Sequence, residues 1–156
     1  MKNKFYDLVI LTNHMILSDA SGKNKECLKD LIPIIQNSGF DYINEISLGN
    51  FLMRGGIILV AIGLKESTPI GCMGLFYDGI HHHLMFQSII DLYKKTKLAY
   101  CLIKEAEDLI NESKKTHNCN IQILWNSKLN RSPIVISDNL IYDKVKKIDV
   151  YMRRNK

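Results

Sequence analysis

Apolar positions are densest between residues 57 and 110, and their spacing changes character along that stretch. Residues 57–62 (IILVAI) are apolar without alternation, which predicts a strand covered on both faces. The loop GLKESTP leads to a second apolar run over 70–77 (IGCMGLFY), long enough to be its hairpin partner. After DGIHHH a third strand is predicted over 84–92. The period then becomes helical over 96–114, where Leu98, Leu102, Ala106 and Leu109 form one stripe with Ile103 and Ile110 beside it. Lys104, Glu105, Glu107, Asp108 and Glu112 lie off that stripe, and Lys104 with Asp108 is an i,i+4 ion pair.

The flanking segments read less sharply. Phe5, Leu8, Val9, Thr12, Met15 and Ile16 fall at helical spacing over 5–17, with a strand over 6–11 as the rival reading. CLKDLIPIIQNSG predicts a short helix disturbed at Pro33 and stopped near Gly39. Residues 41–53 carry mixed signals. Toward the end, Ile121, Ile123 and Trp125 alternate with polar residues as a strand does, and Ser132-Pro133 can open a short helix. Ile148, Val150 and Met152 alternate as a last strand. This order of elements predicts an α/β (α+β) fold with helices packed on a sheet.

At 156 residues and 46% hydrophobic content, the chain suits one domain, its pattern less defined over residues 1–55 than after them. Cys27, Cys72, Cys101 and Cys119 are far apart and form no C-x-x-C pair, so a reducing compartment and no disulfide framework are expected. No run approaches the ~18 apolar residues of a membrane span. Asp7, Thr12, Asn13 and His14 interrupt the early apolar run, against a signal peptide. The expected location is cytoplasmic, with no membrane partner. Net charge is +5, and six basic residues against one acid lie in 144–156. That basic end reads as a solvated strand edge and tail; no nucleic-acid motif accompanies it, so nucleic acid is not an expected partner.

His81-His82-His83 raises a metal hypothesis, since the first and third would share a strand face. The spacing matches no zinc pattern, and no metal is expected. Cys101 and Trp125 read as core residues. Neither a Ser-His-Asp arrangement nor a phosphate-binding P-loop is visible.

Five pieces occur in a telling order. Pro69-Ile70-Gly71 opens the second strand, and Ile89-Ile90-Asp91-Leu92-Tyr93 ends the third. Lys94-Lys95-Thr96-Lys97-Leu98-Ala99 forms a loop, and Leu102-Ile103-Lys104-Glu105-Ala106-Glu107 continues the helix; Leu140-Ile141-Tyr142 then precedes the last strand. Over about residues 56–153 this order resembles the GNAT superfamily of acyl-CoA N-acyltransferases. The resemblance implies a single domain with a mixed, mostly antiparallel sheet flanked by helices, residues 56–153 forming the acyl-CoA-binding core and residues 1–55 a variable N-terminal part. It also implies an acyl donor such as acetyl-CoA, and an amine acceptor. On this reading Ile89, Ile90, Asp91, Lys94, Lys95, Thr96, Lys97, Leu98 and Ala99 bind the donor, its pyrophosphate at the helix N-terminus. A backbone N–H of the third strand polarises the thioester carbonyl. Asp78 is the candidate base, with a turn role in Asp78-Gly79 as its alternative.

The chain departs from the family pattern at four positions. Lys97 replaces the first loop glycine, Lys94 the Arg or Gln, Ser137 a tyrosine that protonates the departing thiolate, and Ile141 a late glycine. These departures motivate an alternative: a catalytically degenerate GNAT-fold protein acting as a structural, assembly or virion-associated binding component, with a protein as its partner. The organisation is similar to that of small GNAT-like proteins encoded by tailed phages.

Overall fold

A computed structural model of the protein describes residues 4–79, 82–112, 121–124, 134–137, 140–146 and 150–155. The chain opens with β1 (Tyr6–Leu11) and the short helix α1 (Asn13–Ser18). A single helix over 5–17 is therefore not formed. Thr12, extended at φ −125° and ψ 164°, separates the two elements, and its Oγ1 accepts from the Met15 N–H at 3.2 Å. Helical spacing lost here to six rungs of antiparallel pairing with β2 (Ile57–Gly63).

Helix α2 (Lys23–Asn37) starts earlier than CLKDLIPIIQNSG suggested and carries Pro33 inside it. Pro33 is exposed, as is Lys29 one turn earlier, so the missing bond falls on the solvent face while Leu28, Leu31 and Ile35 stay buried. The ambiguous stretch after it becomes α3 (Glu45–Met53). Its start is a reciprocal cap: the Ser47 N–H donates to Asn44 Oδ1 at 2.9 Å and the Asn44 N–H to Ser47 Oγ at 2.8 Å.

Strands β2, β3 (Pro69–Tyr77) and β4 (His82–Ile89) pair antiparallel, and α4 (Leu98–Glu112) follows a 3-10 turn over Asp91–Tyr93. The third strand thus begins two residues earlier and ends three earlier than expected. The described strands continue through β5 (Ile121–Leu124), β6 (Ile134–Ser137), β7 (Leu140–Lys146) and β8 (Val150–Asn155). Together they form one mixed sheet of order β1-β2-β3-β4-β5-β8-β7-β6, in which only the β4–β5 pair is parallel. The mixed, mostly antiparallel sheet flanked by helices is as expected. A short helix opening at Ser132-Pro133 is not: residues 132–133 lie outside the described residues, but 134–137 are strand. Ile134, Val135 and Ile136 are β-branched and fit a ladder better than a helix. Trp125 and Cys119 also lie outside the described residues.

Both faces of the central sheet are buried. Leu59 and Ala61 of β2 pack with Leu98, Leu102, Ile103 and Ala106 of α4. Ile58 and Val60 point the other way, into Leu28, Leu31 and Ile35 of α2 and Leu48 and Leu52 of α3. That is why IILVAI carries no polar alternation. Among the described residues no helix is long and apolar enough to cross a membrane.

Two thiols sit in this second core. Burial raises the Cys72 thiol and lifts that of Cys27 to about 11, with the Asp30 carboxylate adding to the latter. Both therefore hold their protons more tightly in the folded state than in the unfolded chain, where a thiol titrates near ~8.5. Their contribution to stability is full below that value and is lost as pH rises through the folded pKa. The urea midpoint is expected to fall between about pH 8 and about pH 10.5, and Cys27→Ala with Cys72→Ala should flatten part of that slope. An unchanged slope in the double variant contradicts the assignment.

Candidate functional site

The site begins where two neighbouring strands part. β4 and β5 run parallel and pair only across His82–Leu84 and Ile121–Ile123. Past Leu84, β4 continues to Ile89 bonded to β3 on one side, while β5 goes on to pair Leu124 with Val150 of β8. The edge of β4 from Met85 to Ile89 has no partner strand among the described residues.

A bulge sits on that free edge. Met85 faces Gly74 and Ser88 faces Cys72, so Phe86 and Gln87 share the single position opposite Met73. Phe86 has φ +38°, a left-handed conformation that a bulky residue adopts only at a cost. Two features hold it. Its ring meets the Phe51 ring edge-on at 5.3 Å, and it occupies the space a side chain at Gly74 would need. Beyond the bulge, the Ile90 N–H donates to the Ile70 carbonyl at 3.0 Å. In an antiparallel ladder successive residues face opposite edges, so beyond the bulge Ser88 and Ile90 face β3 and the N–H of Ile89 faces the free edge.

The loop between β4 and α4 is anchored from within. The Tyr93 hydroxyl donates to Glu66 Oε2 at 2.7 Å, and its ring stacks on Phe5 at 5.5 Å. That hydrogen bond to Glu66 also raises the phenol's pKa. Thr96 Oγ1 donates to the Tyr93 carbonyl at 2.6 Å and accepts from the Leu98 N–H at 3.2 Å, capping the helix. The first full helical bond runs from the Cys101 N–H to the Lys97 carbonyl at 2.8 Å. Lys94 Nζ pairs with Asp91 Oδ1 at 2.7 Å.

Of the residues expected to bind a donor, Ile89, Ile90, Asp91 and Lys94 line one cavity of about 440 Å³, closed on its far side by Pro33 and Asn37 of α2. Lys95, Thr96 and Lys97 are exposed in the turn that leads into α4. The Leu98 side chain is fully buried in the core, which leaves only its capped N–H near the turn. Ala99 is the second residue of α4, and its carbonyl accepts from Gln87 Nε2 at 2.9 Å, tying the helix start to β4.

Asp78 lies at the opposite end of the sheet. Its Oδ2 is 2.8 Å from His83 Nε2, and six residues, roughly 20 Å of strand, separate His83 from Ile89. His82 is buried and stacked on Tyr77 at 4.5 Å; His81 lies outside the described residues. Among the described residues no three metal-ligating side chains converge. Cys101 is half-buried against the α4 core. Ser137 and Ile141 fall on β6 and β7, separated from β5 by β8. The position aligned with the family's tyrosine is therefore in a strand at the sheet's far edge, not beside the β4–β5 gap.

Sequence reasoning missed the bulge and the ring cluster around it. The signal was Gly71-Cys-Met-Gly74, two glycines inside one strand, a mark of close approach by a neighbour. A side chain at Gly71 would come within 2.9 Å of Ile89 and 3.1 Å of the Ser88 carbonyl.

No protein-family model matches this chain, and no curated protein matches it by sequence. Solved structures do match its fold. An acyl-CoA N-acyltransferase from Pseudomonas aeruginosa superposes with a TM-score of 0.62 at 10% identity, covering 96% of this chain and 99% of that one. The PaiA N-acetyltransferase from Thermoplasma acidophilum, in complex with coenzyme A, gives 0.55 at 14% identity with the same coverage of 96% and 99%. A GNAT-family acetyltransferase from Staphylococcus aureus gives 0.55 at 18%, again over 96% and 99%. The fold is that of the GNAT acyltransferases.

Proposed function

We propose that this chain binds an acyl-CoA along the free edge of β4 and transfers the acyl group to an amine. The observation that carries the reading is the parting of β4 from β5 after Leu84, directly before a capped helix N-terminus. Bound there, acyl-CoA supplies the activated thioester. The chain's own groups suit it. Ile89 turns its N–H to the edge, where it can polarise a thioester carbonyl. The amino end of α4 favours phosphate, and the exposed Lys95 and Lys97 add positive charge beside it. An acceptor amine starts from a pKa of ~10.4 and must lose a proton before attack. Asp78, joined to His83 at the far end of β4, lies roughly 20 Å of strand from Ile89, too far to take that proton directly, so in this reading solvent takes it and returns one to the departing thiolate.

A second reading rests on Lys97. At the helix cap position a lysine occupies space that a glycine would leave open to phosphate. A GNAT-fold binding or assembly component, cytoplasmic or virion-associated, would tolerate that substitution.

Calorimetric titration with acetyl-CoA separates the two. A micromolar complex is expected, and ligand at ~1 mM would then stabilise the fold by about 4 kcal/mol. Absence of binding ends the acyltransfer reading. Binding without turnover on any amine favours the second. With Lys97→Gly the complex is expected to tighten about three- to tenfold; a weaker complex means that Lys97 is itself a phosphate ligand.

A further inference from the structure

A second cavity opens on the α3 face of β4, where pairing with β5 ends. It measures about 190 Å³, and its walls are Phe40, Tyr42, Ile43, Phe51, Met85 and Phe86. Met85 and Phe86 are the first two residues beyond the last β5-paired position, so this hollow adjoins the free edge at the bulge. Apolar cavities near 150 Å³ hold a benzene ring, so this one is ring-sized. The Ser47 hydroxyl on its wall is spent in the α3 cap, donating to the Asn44 carbonyl at 3.0 Å and accepting the Asn44 N–H, and Tyr42 carries the other hydroxyl among the described lining residues. A wider hollow of about 350 Å³ shares Ser47, Phe51 and Met85 with it, and Arg54 is the only charged residue on its wall among the described residues.

From these walls we infer that the acceptor is a monoamine bearing an aromatic or bulky branched apolar group, rather than a polyamine, aminoglycoside or lysine side chain. The inference rests on the acyltransfer reading. Among the described residues an extra ammonium group would find no carboxylate in either hollow, and it would meet the Arg54 guanidinium. A ring, by contrast, gains contact with Phe51 and Phe86, both already fixed: Phe51 against the Gly56 backbone, Phe86 against Gly74. The left-handed φ of Phe86 turns its ring onto this face, which gives the strain a use in the site.

The test uses the full-length protein and 2-phenylethylamine as probe, with spermidine and a lysine-containing peptide as rivals. At saturating acetyl-CoA, kcat/KM for 2-phenylethylamine is expected to exceed that for either rival by at least about tenfold. Tyr42 is 73% exposed, so Tyr42→Ala leaves the fold intact; it should lower kcat/KM for the probe about five- to tenfold with acetyl-CoA affinity unchanged. Binding is also read without the donor, as shifts of the Met85 and Ile43 methyl resonances on adding the probe. Preference for spermidine or the peptide overturns the inference, and so do unmoved methyl resonances. Because acetyl-CoA affinity is measured separately, a failed donor titration would count against the acyltransfer reading, while the methyl shifts still decide the pocket.

Discussion

Replacing Ile89 by proline is expected to cut acyl transfer about a hundredfold, with a loss of stability from trimming a buried side chain but none from the β3 ladder. The Ile89 N–H faces the free edge of β4, so its loss takes no rung from the β3 ladder. The ladder parity rests on the 3.0 Å bond from the Ile90 N–H to the Ile70 carbonyl. Ser88→Pro is the matched opposite. Its N–H faces Cys72 in β3, so proline there removes a ladder bond inside the sheet and should lower the urea midpoint far more than Ile89→Pro does. Single-turnover rates and urea melts of the two variants decide the matter. Full activity in Ile89→Pro would show that this N–H never meets the acyl donor; equal destabilisation would show that the parity is misassigned.

Gly74→Val should destabilise the protein by about 2–3 kcal/mol or more. A Cβ at Gly74 lies 2.5 Å from two carbons of the Phe86 ring and 3.1 Å from the Phe51 ring. Neither ring has room to retreat. Phe51 lies against Gly56, where a Cβ would also fall 2.5 Å from its ring, and Phe86 is pinned by the bulge. Any relief must therefore unseat the cluster that shapes the β4 edge, so the variant should lose amine turnover as well as stability. Gly49→Ala is the control: it lies mid-helix in α3 with nothing within 4 Å of the added carbon, and should gain about 0.5–1 kcal/mol. A Gly74→Val midpoint within error of wild type would mean the rings yield freely.

How far the sequence alone reaches differs along the chain. The run over 57–62 and the stripe of α4 were legible because burial on two faces and burial on one leave different periods, and neither needs a partner to be known. The segment 5–17 was not. Its apolar spacing satisfies both a helix and a strand, and the choice was made by β2, which offers β1 a full ladder. Helix α3 hid behind Gly49 and a mixed apolar pattern, although the Asn44 and Ser47 cap was present in the residues themselves. The helix expected from Ser132-Pro133 gave way to β6 because local propensity yields to pairing with β7.

The candidate site divides the same way. That 94–99 follows a strand and leads into a helix could be read from the order of elements, since a change of hydrophobic period marks the junction and a helix start carries unpaired N–H groups wherever it lies. The sequence therefore determined the central sheet segment, the long helix and the turn between them. Only the tertiary structure decided that β4 and β5 part after Leu84, that Phe86 is held left-handed against a glycine of another strand, and that Asp78 meets His83 at the far end of β4. Those features depend on where strands stop pairing and on which rings share a space, and both are set by contacts between residues far apart in the chain.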